Sequence, residues 1–212
     1  MLLGLPGAGK GTQAARLAEV LGVPHVATGD MFREAMAAGT PVGLQVKAVV
    51  EAGAYVPDGL TIALVEERLR QPDCAPGFVL DGFPRTVGQA EALDRLLGRA
   101  AARLDRVLLL DVPEAVVLAR LTGRRTCPAC GATYHMASAP PGPGGACLRC
   151  GATVVQRADD REDVQRRRLE TYRTLTEPLV PFYAAAGRLV RVSGEGAVDE
   201  VAARLRAAAV GA

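Results

Sequence analysis

Short apolar runs alternate along the chain with longer segments whose apolar residues recur every three or four positions. The short runs predict five β-strands, at residues 2–3, 25–27, 78–80, 107–110 and 189–192. Helical spacing predicts α-helices at residues 11–21, 31–38, 42–52, 60–70, 87–97, 114–121 and 198–210. Strands that alternate with helices are typical of a parallel sheet covered by helices on both faces. We therefore predict an α/β fold built on a five-stranded parallel sheet.

Three stretches depart from this simple alternation. Residues 162–183 have the pattern of one long helix, which Pro178 and Pro181 should kink or end. Residues 27–56 place two helices where one crossover helix would serve, and we interpret them as a small inserted domain. Residues 123–160 contain four cysteines and a Pro/Gly-rich loop with little periodicity, which indicates a second inserted module. The core would then comprise residues 1–26, 57–122 and 161–212.

The composition is that of a globular protein. Of the 212 residues, 49% are hydrophobic and 23% are charged, which is enough apolar material for one core with insertions. The 25 Lys and Arg residues against 23 Asp and Glu residues give a net charge of only +2. This balance argues against a nucleic-acid or membrane-surface binder, so a bound anion must meet local positive charge. Because no apolar stretch approaches membrane-spanning length and the chain runs directly into a glycine-rich loop, we expect a cytoplasmic protein.

A phosphate-binding loop is the first candidate for chemistry. Residues 4–10 read GLPGAGK between an apolar run and a helix, the context in which G-x-x-x-x-G-K binds phosphate through backbone N–H groups and a lysine, here Lys10. Gly11 stands where this loop usually has Ser or Thr, and Thr12 follows, so the hydroxyl that commonly holds magnesium should sit differently. Asp81 ends an apolar strand and is a candidate acid near the magnesium, with a capping role as the alternative.

The cysteines form a second signal. Cys127 and Cys130 make one C-x-x-C pair and Cys147 and Cys150 make another, at a separation typical of a structural zinc site with four thiolate ligands. Disulfides are the alternative, which a reducing compartment disfavours. Four thiolates leave no open position for catalysis, so the expected role of the metal is structural. Cys74 stands alone and is interpreted as a small buried hydrophobic residue.

Several motifs together resemble one family. Residues 81–86 read DGFPRT and are followed by Gln89, which is similar to the signature of adenylate kinases, and GKGT at residues 9–12 resembles the phosphate loop of the same family. The segments TGDM at 28–31 with Arg33, GRR at 123–125, and DD at 159–160 are similar in type, order and spacing. The resemblance covers nearly the whole chain. It implies the P-loop nucleoside monophosphate kinase fold, with residues 27–56 as the AMP-binding domain and residues 123–160 as the zinc-binding lid of the long bacterial form.

The resemblance also implies site residues. It places on ATP the residues Gly7, Ala8, Gly9, Lys10, Gly11, Thr12, Arg120, Arg124, Thr133, Tyr134 and Gly196. It places on AMP the residues Thr28, Arg33, Ala54, Tyr55, Val56, Gly82, Phe83, Pro84, Arg85, Gln89, Arg157 and Arg168. The catalytic cations would be Lys10, Arg85, Arg120, Arg124, Arg157 and Arg168, and Asp81 would hold magnesium through water. The register of Arg168 against Arg166 and Arg167 stays open, because three arginines run together.

The implied activity is the reversible, magnesium-dependent transfer of the terminal phosphoryl group of ATP to AMP, giving two ADP. It suits the chemistry, because an acceptor phosphate is already ionised near neutral pH and needs cations more than a general base. The implied cofactors are one structural zinc ion per chain and magnesium with ATP, and the expected state is a monomer. A GTP:AMP enzyme or another nucleoside monophosphate kinase is the alternative within the class. A nucleic-acid-binding zinc ribbon is disfavoured by the near-neutral charge and by an aromatic content of 4%.

Overall fold

The computed structural model describes residues 1–137, 139–157 and 160–211, and its centre is a parallel sheet. The strands in chain order are β1 (Leu2–Leu3), β2 (His25–Ala27), β3 (Val79–Asp81), β4 (Val107–Asp111), β5 (Arg124–Thr126), β6 (Thr133–His135) and β7 (Leu189–Ser193). Five of them form one sheet in the order β2-β3-β1-β4-β7, and every neighbouring pair is parallel. The predicted five-stranded α/β fold is confirmed, with strand ends displaced by at most one residue.

Helices cover both faces of this sheet. They are α1 (Lys10–Leu21), α2 (Thr28–Ala37), α3 (Pro41–Glu51), α4 (Asp58–Leu69), α5 (Val87–Arg99), α6 (Glu114–Gly123), α7 (Glu162–Thr171), α8 (Leu179–Ala185) and α9 (Val198–Val210). Alternate residues of β4 enter different clusters, since Leu109 packs with α5 and α8 whereas Leu108 packs with α1 and α9. A strand buried on both faces is a continuous apolar run, which is why β4 was easy to predict.

The strand order places the site. From β1 the chain passes to the far edge at β2, returns to β3 beside β1, and then continues on the other side with β4. The order therefore reverses at β1. In open α/β sheets the crevice at the carboxyl ends of the strands beside such a reversal is where ligands bind.

One predicted element is corrected. Residues 162–183 do not form a single helix, because α7 ends at Thr171 and a π-helical turn at Tyr172–Thr176 precedes α8. The backbone N–H of Glu177 donates to the carbonyl of Tyr172 at 2.9 Å, five residues back. Pro178 has no N–H, and its ring would crowd a carbonyl four residues earlier, so the wider turn relieves an α-helical clash. Pro181 lies in the first turn of α8, where proline is tolerated.

One small hydrophobic cluster and one two-stranded sheet lie outside the main core. Phe32, Val46 and Val56 are buried against each other between α2, α3 and the start of α4. In the segment between α6 and α7, β5 and β6 pair antiparallel, with Arg125 opposite Tyr134. Neither of these strands was predicted. Across the described ranges, no helix is long and apolar enough to span a membrane.

Candidate active site

The loop between β1 and α1 is shaped by close packing. Gly4 has φ +144°, and a Cβ there would lie 2.6 Å from the carbonyl oxygen of Leu110 on β4. A Cβ on Gly7, with φ +82°, would lie 2.4 Å from Cγ of Leu121 on α6. Both positions therefore require glycine. The loop folds back over α1, and Lys10 Nζ donates to the carbonyls of Gly4 at 2.7 Å and Leu5 at 2.8 Å.

Arginines from three segments act on Lys10. Burial lowers the pKa of Lys10 to about 8, the charge of Asp81 opposes this shift, and the charges of Arg85, Arg168 and Arg124 lower the pKa further. These arginines come from the loop after β3, from α7 and from β5. Positive charges from distant parts of the sequence thus converge on one space, and their mutual repulsion favours a polyanion there.

Asp81 lies at the carboxyl end of β3, beside the phosphate loop. Its Oδ2 is 3.3 Å from the point where a Cβ on Gly11 would lie and 3.6 Å from Nε2 of His25. Burial raises the pKa of Asp81, but the close approach of the His25 imidazole and the positive charge of Lys10 outweigh it, so the net pKa is lowered. An ionised carboxylate beside a phosphate loop fits magnesium, which binds one or two carboxylates, phosphate oxygens and several waters.

An open cleft lies next to this loop. Eight of the residues predicted to hold AMP line it: Thr28, Arg33, Ala54, Tyr55, Val56, Arg85, Gln89 and Arg168. The sequence reasoning missed five lining residues, which are Gly29, Phe32, Val50, Gly53 and Thr61. Phe32 and Val50 have helical apolar spacing and are indistinguishable from core positions in the sequence. Gly53 is easier to recognise in the sequence, because it is a glycine that follows α3. Its φ is +73°, and a Cβ there would lie 2.6 Å from Val164.

Other residues predicted to hold AMP lie behind the cleft or outside it. Phe83 is only 2% exposed and belongs to the main core, and Pro84 beside it is also buried. The carbonyl of Gly82 accepts hydrogen bonds from Thr28 Oγ1 and Arg85 Nε, both at 2.8 Å. Arg157, half-buried in the segment before α7, does not line this cleft.

A buried hydrogen-bond network fixes the Gln89 side chain. Its Oε1 accepts from the backbone N–H of Arg85 at 2.8 Å, and its Nε2 donates to Asp58 Oδ1 at 2.6 Å. The Thr86 hydroxyl donates to the other Asp58 oxygen at 2.8 Å. Because a backbone N–H can only donate and a carboxylate can only accept, the orientation of the Gln89 amide is determined. Asp58, which the sequence reasoning missed, is the residue that sets it.

The remaining predicted arginines bridge segments. Arg120 donates to the carbonyl of Ala8 at 3.2 Å and to that of Gly194 at 3.1 Å, and so joins the phosphate loop to the loop that contains Gly196. Arg124 makes a bidentate ion pair with Asp160, whose side chain is fully buried and also accepts from Gln165 at 3.1 Å. Asp159, the other acid of that motif, lies outside the described residues.

The four cysteines form one compact cluster. Their Sγ atoms all lie within 4.8 Å of one another, with Cys127–Cys150 at 3.4 Å and Cys130–Cys147 at 3.6 Å. These separations exceed a disulfide bond of about 2.05 Å. They match the spacing of about 3.8 Å that four sulfurs take around zinc with Zn–S bonds of about 2.3 Å. The cluster therefore fits a tetrahedral zinc site.

Tyr134 completes this cluster. Its hydroxyl accepts from the Leu148 backbone N–H at 2.8 Å and lies 3.1 Å from Cys147 Sγ, to which it would donate once this sulfur is a zinc-bound thiolate. Outer hydrogen bonds of this kind hold a metal ligand in place. The side chain predicted to pack on the donor base is thus engaged with the sulfur cluster, while Thr133 beside it is exposed. Contact of Thr133 and Tyr134 with the base stays a prediction.

Comparison with known proteins agrees with this geometry. The profile of the family described as adenylate kinase matches residues 2–188. An adenylate kinase of Thermodesulfovibrio yellowstonii is 51% identical over 201 residues, covering 95% of this chain and 94% of the relative. An adenylate kinase of Moorella thermoacetica is 53% identical, covering 95% of this chain and 93% of the relative. One of Syntrophobacter fumaroxidans is 48% identical over 207 residues, covering 98% and 97% of the two chains. With the phosphate loop, the adjoining cleft and the cysteine cluster in one fold, the chain belongs to the adenylate kinase family.

Proposed function

We propose that this chain is an ATP:AMP phosphotransferase that moves the terminal phosphoryl group of ATP to AMP, reversibly and with magnesium, giving two ADP. The observation that carries the proposal is the convergence of Lys10, Arg85, Arg124 and Arg168 where the phosphate loop meets the adjoining cleft. A donor phosphate on the loop and an acceptor phosphate in the cleft would share these cations. This arrangement is what in-line transfer between two polyanions requires.

The donor side uses the phosphate loop, the lid and Arg120. Backbone N–H groups of residues 7–12 and Lys10 hold the donor phosphates at the start of α1. Lys10 exchanges its bonds to the carbonyls of Gly4 and Leu5 for phosphate oxygens. Asp81 would hold magnesium, and this ion would supply positive charge that neutralises part of the phosphate charge. Arg120 keeps the loops around Ala8 and Gly194 together beside the donor.

The acceptor side uses the cleft. Arg85 and Arg33 clamp the AMP phosphate, and Arg168 lies between the two substrates. Gln89 presents an oriented side-chain amide to the base of AMP. This amide offers both a hydrogen-bond donor and a hydrogen-bond acceptor to an edge of adenine. No general base is needed, because the AMP phosphate is already ionised. Arg124 and Arg157 come from the lid, and closure of the lid excludes the water that would otherwise hydrolyse the donor.

The lid carries one structural zinc ion on Cys127, Cys130, Cys147 and Cys150. Residues 27–56 form the AMP-binding domain, residues 123–160 form the lid, and the rest forms the core. The protein acts as a cytoplasmic monomer on ATP, AMP and ADP, with no nucleic-acid or membrane partner.

An acceptor panel tests this proposal. AMP, CMP, UMP and GMP are each offered with Mg·ATP, and formation of the diphosphate is followed by a coupled assay. We expect transfer to AMP far above transfer to the other three. Replacing ATP by GTP tests the donor, whose base is weakly specified by the sequence. Preferred transfer to a pyrimidine nucleotide, or hydrolysis of ATP without transfer, would contradict the proposal.

A further inference from the structure

The turn between α7 and α8 brings one buried hydroxyl against the back of the cleft. Thr176 is 3% exposed, and its Oγ1 lies 2.8 Å from the carbonyl oxygen of Arg85 and 2.8 Å from the hydroxyl of Tyr55. A threonine hydroxyl has one proton, and it goes to the carbonyl, because a carbonyl can only accept. Tyr55 is therefore the donor to Thr176. A chain of two hydrogen bonds runs from Tyr55 through Thr176 to the main chain of Arg85.

Tyr55 also contacts Arg85 through its ring. The guanidinium carbon of Arg85 lies 4.8 Å from the ring centroid, which is within the range of a cation–π interaction. On its other side Arg85 Nε donates to the carbonyl of Gly82 at 2.8 Å. The backbone N–H of Arg85 is held by Gln89 at 2.8 Å. The main chain and the guanidinium are thus both fixed, and the Nη groups are the donors that an incoming phosphate would meet.

We propose that Tyr55 and Thr176 are positioning residues that orient Arg85 for the acceptor phosphate. This inference rests on the proposed function, and it gives a specific role to the side chain of Tyr55, which the family resemblance placed only among the residues that hold AMP. Arg85 is effective only if its guanidinium is already oriented, because ordering a long side chain during binding opposes the interaction.

The π-helical turn explains how Thr176 reaches this place. Each residue of an α-helix rotates the side-chain direction by about 100°. A π turn contains one extra residue, so every side chain after it is displaced by about that angle relative to an uninterrupted helix. In an unbroken α-helix over residues 162–183, the side chain at position 176 would point away from Tyr55 and Arg85. The break in this helix is therefore part of the acceptor site, consistent with the frequent occurrence of π turns at functional sites.

Three variants test the hydrogen-bond chain: Tyr55→Phe, Thr176→Val and the double variant. Loss of one such hydrogen bond should raise KM for AMP about threefold to tenfold, while KM for ATP changes by less than about twofold. Thr176→Val already removes the partner of Tyr55, so the double variant should be no worse than Thr176→Val. Isothermal titration with AMP should give the same order of affinities without turnover.

Further variants separate positioning from a general structural role. Thr176→Ser keeps the hydroxyl and should restore KM for AMP to near the wild-type value. Tyr55→Leu also removes the ring and should raise KM for AMP by a further factor of about two to five. Thr174→Val is the matched control, because Thr174 is an exposed threonine of the same turn and donates only to the Glu170 carbonyl. It should leave both KM values unchanged.

Three outcomes would contradict the positioning role of Tyr55 and Thr176. The inference is wrong if Tyr55→Phe leaves KM for AMP unchanged, if both KM values rise together, or if the two single effects multiply in the double variant. Should Thr176→Val fail to fold, Tyr55→Phe alone still decides, since the Phe ring preserves the packing. Failure of the proposed function is distinguishable, because the wild-type chain would then not phosphorylate AMP at all.

Discussion

At the scale of single residues, Lys10 combines burial with neighbouring positive charge. Its pKa is lowered to about 8, so the folded chain holds this proton less tightly than the unfolded chain does. The free energy of unfolding gains a contribution that increases with pH from about 8 to about 10.5, where the unfolded lysine also loses its proton. Charged Lys10 thus costs stability at neutral pH, and a bound phosphate should offset that cost.

This shift predicts proton uptake when ATP binds. Phosphate oxygens favour the ammonium form and raise the pKa of Lys10, so binding at about pH 8.5 should take up a fraction of a proton that binding at about pH 7 does not. Titration calorimetry in buffers of different ionisation enthalpy measures this difference. Lys10→Met should abolish it. Equal uptake by the wild type at both pH values would show that Lys10 does not titrate on binding.

The charges of Lys10 and Arg85 should matter far more for catalysis than for the fold. Lys10→Ala and Arg85→Ala should each lower kcat/KM by about a hundredfold or more, because each removes charge stabilisation from the transition state. Lys47→Ala is the matched control, since Lys47 is exposed on α3 and should be silent. Circular dichroism should stay unchanged in all three variants. Near-normal activity of either site variant would refute its assignment.

At the scale of elements, what could be predicted depended on how local the signal was. Strand β4 is a buried apolar run, and the phosphate loop is a contiguous motif, so both were evident from the sequence. The β5–β6 pair was missed, because RRT and TYH contain no apolar run of the kind that marked the other strands. Asp58, Gly53 and Thr176 were missed for another reason. Their partners are distant in the chain, at Gln89, Val164 and Arg85, and periodicity does not encode such pairs.

The cysteine cluster should stabilise its own element more than the whole fold. Chelation of zinc, or Cys147→Ser, should unfold the segment that carries β5 and β6 and lower the melting temperature, while the main sheet keeps its circular dichroism signal. Elemental analysis should give one zinc ion per chain in the wild type and in Cys74→Ala, because Cys74 lies outside the cluster. Wild-type protein that is purified without chelators and contains no zinc would contradict the site.

At the scale of the whole molecule, the positive charges explain why substrate should drive closure. Arg124 comes from β5, Arg168 from α7 and Arg85 from the loop after β3, and all three act on the same lysine. Bringing like charges together is unfavourable until a polyanion lies among them. We therefore expect a bound ligand to supply the differential free energy that selects a closed state.

A ligand that spans both sites should bind and close the molecule best. Two adenosines joined by five phosphates offer one end to the phosphate loop and the other to the cleft, so the second contact becomes intramolecular. Linkage of this kind gains about 10²–10⁴ in affinity over one site alone. We expect that gain relative to ATP in titration calorimetry, and a smaller radius of gyration in solution scattering when the linked ligand is added. Arg85→Ala should lose much of the affinity for the linked ligand yet bind ATP nearly as the wild type does, because we place Arg85 at the acceptor end. If the linked ligand binds no better than ATP, or if scattering shows no contraction, the two sites do not act together, and the chain would then be a simple phosphate-loop ATPase.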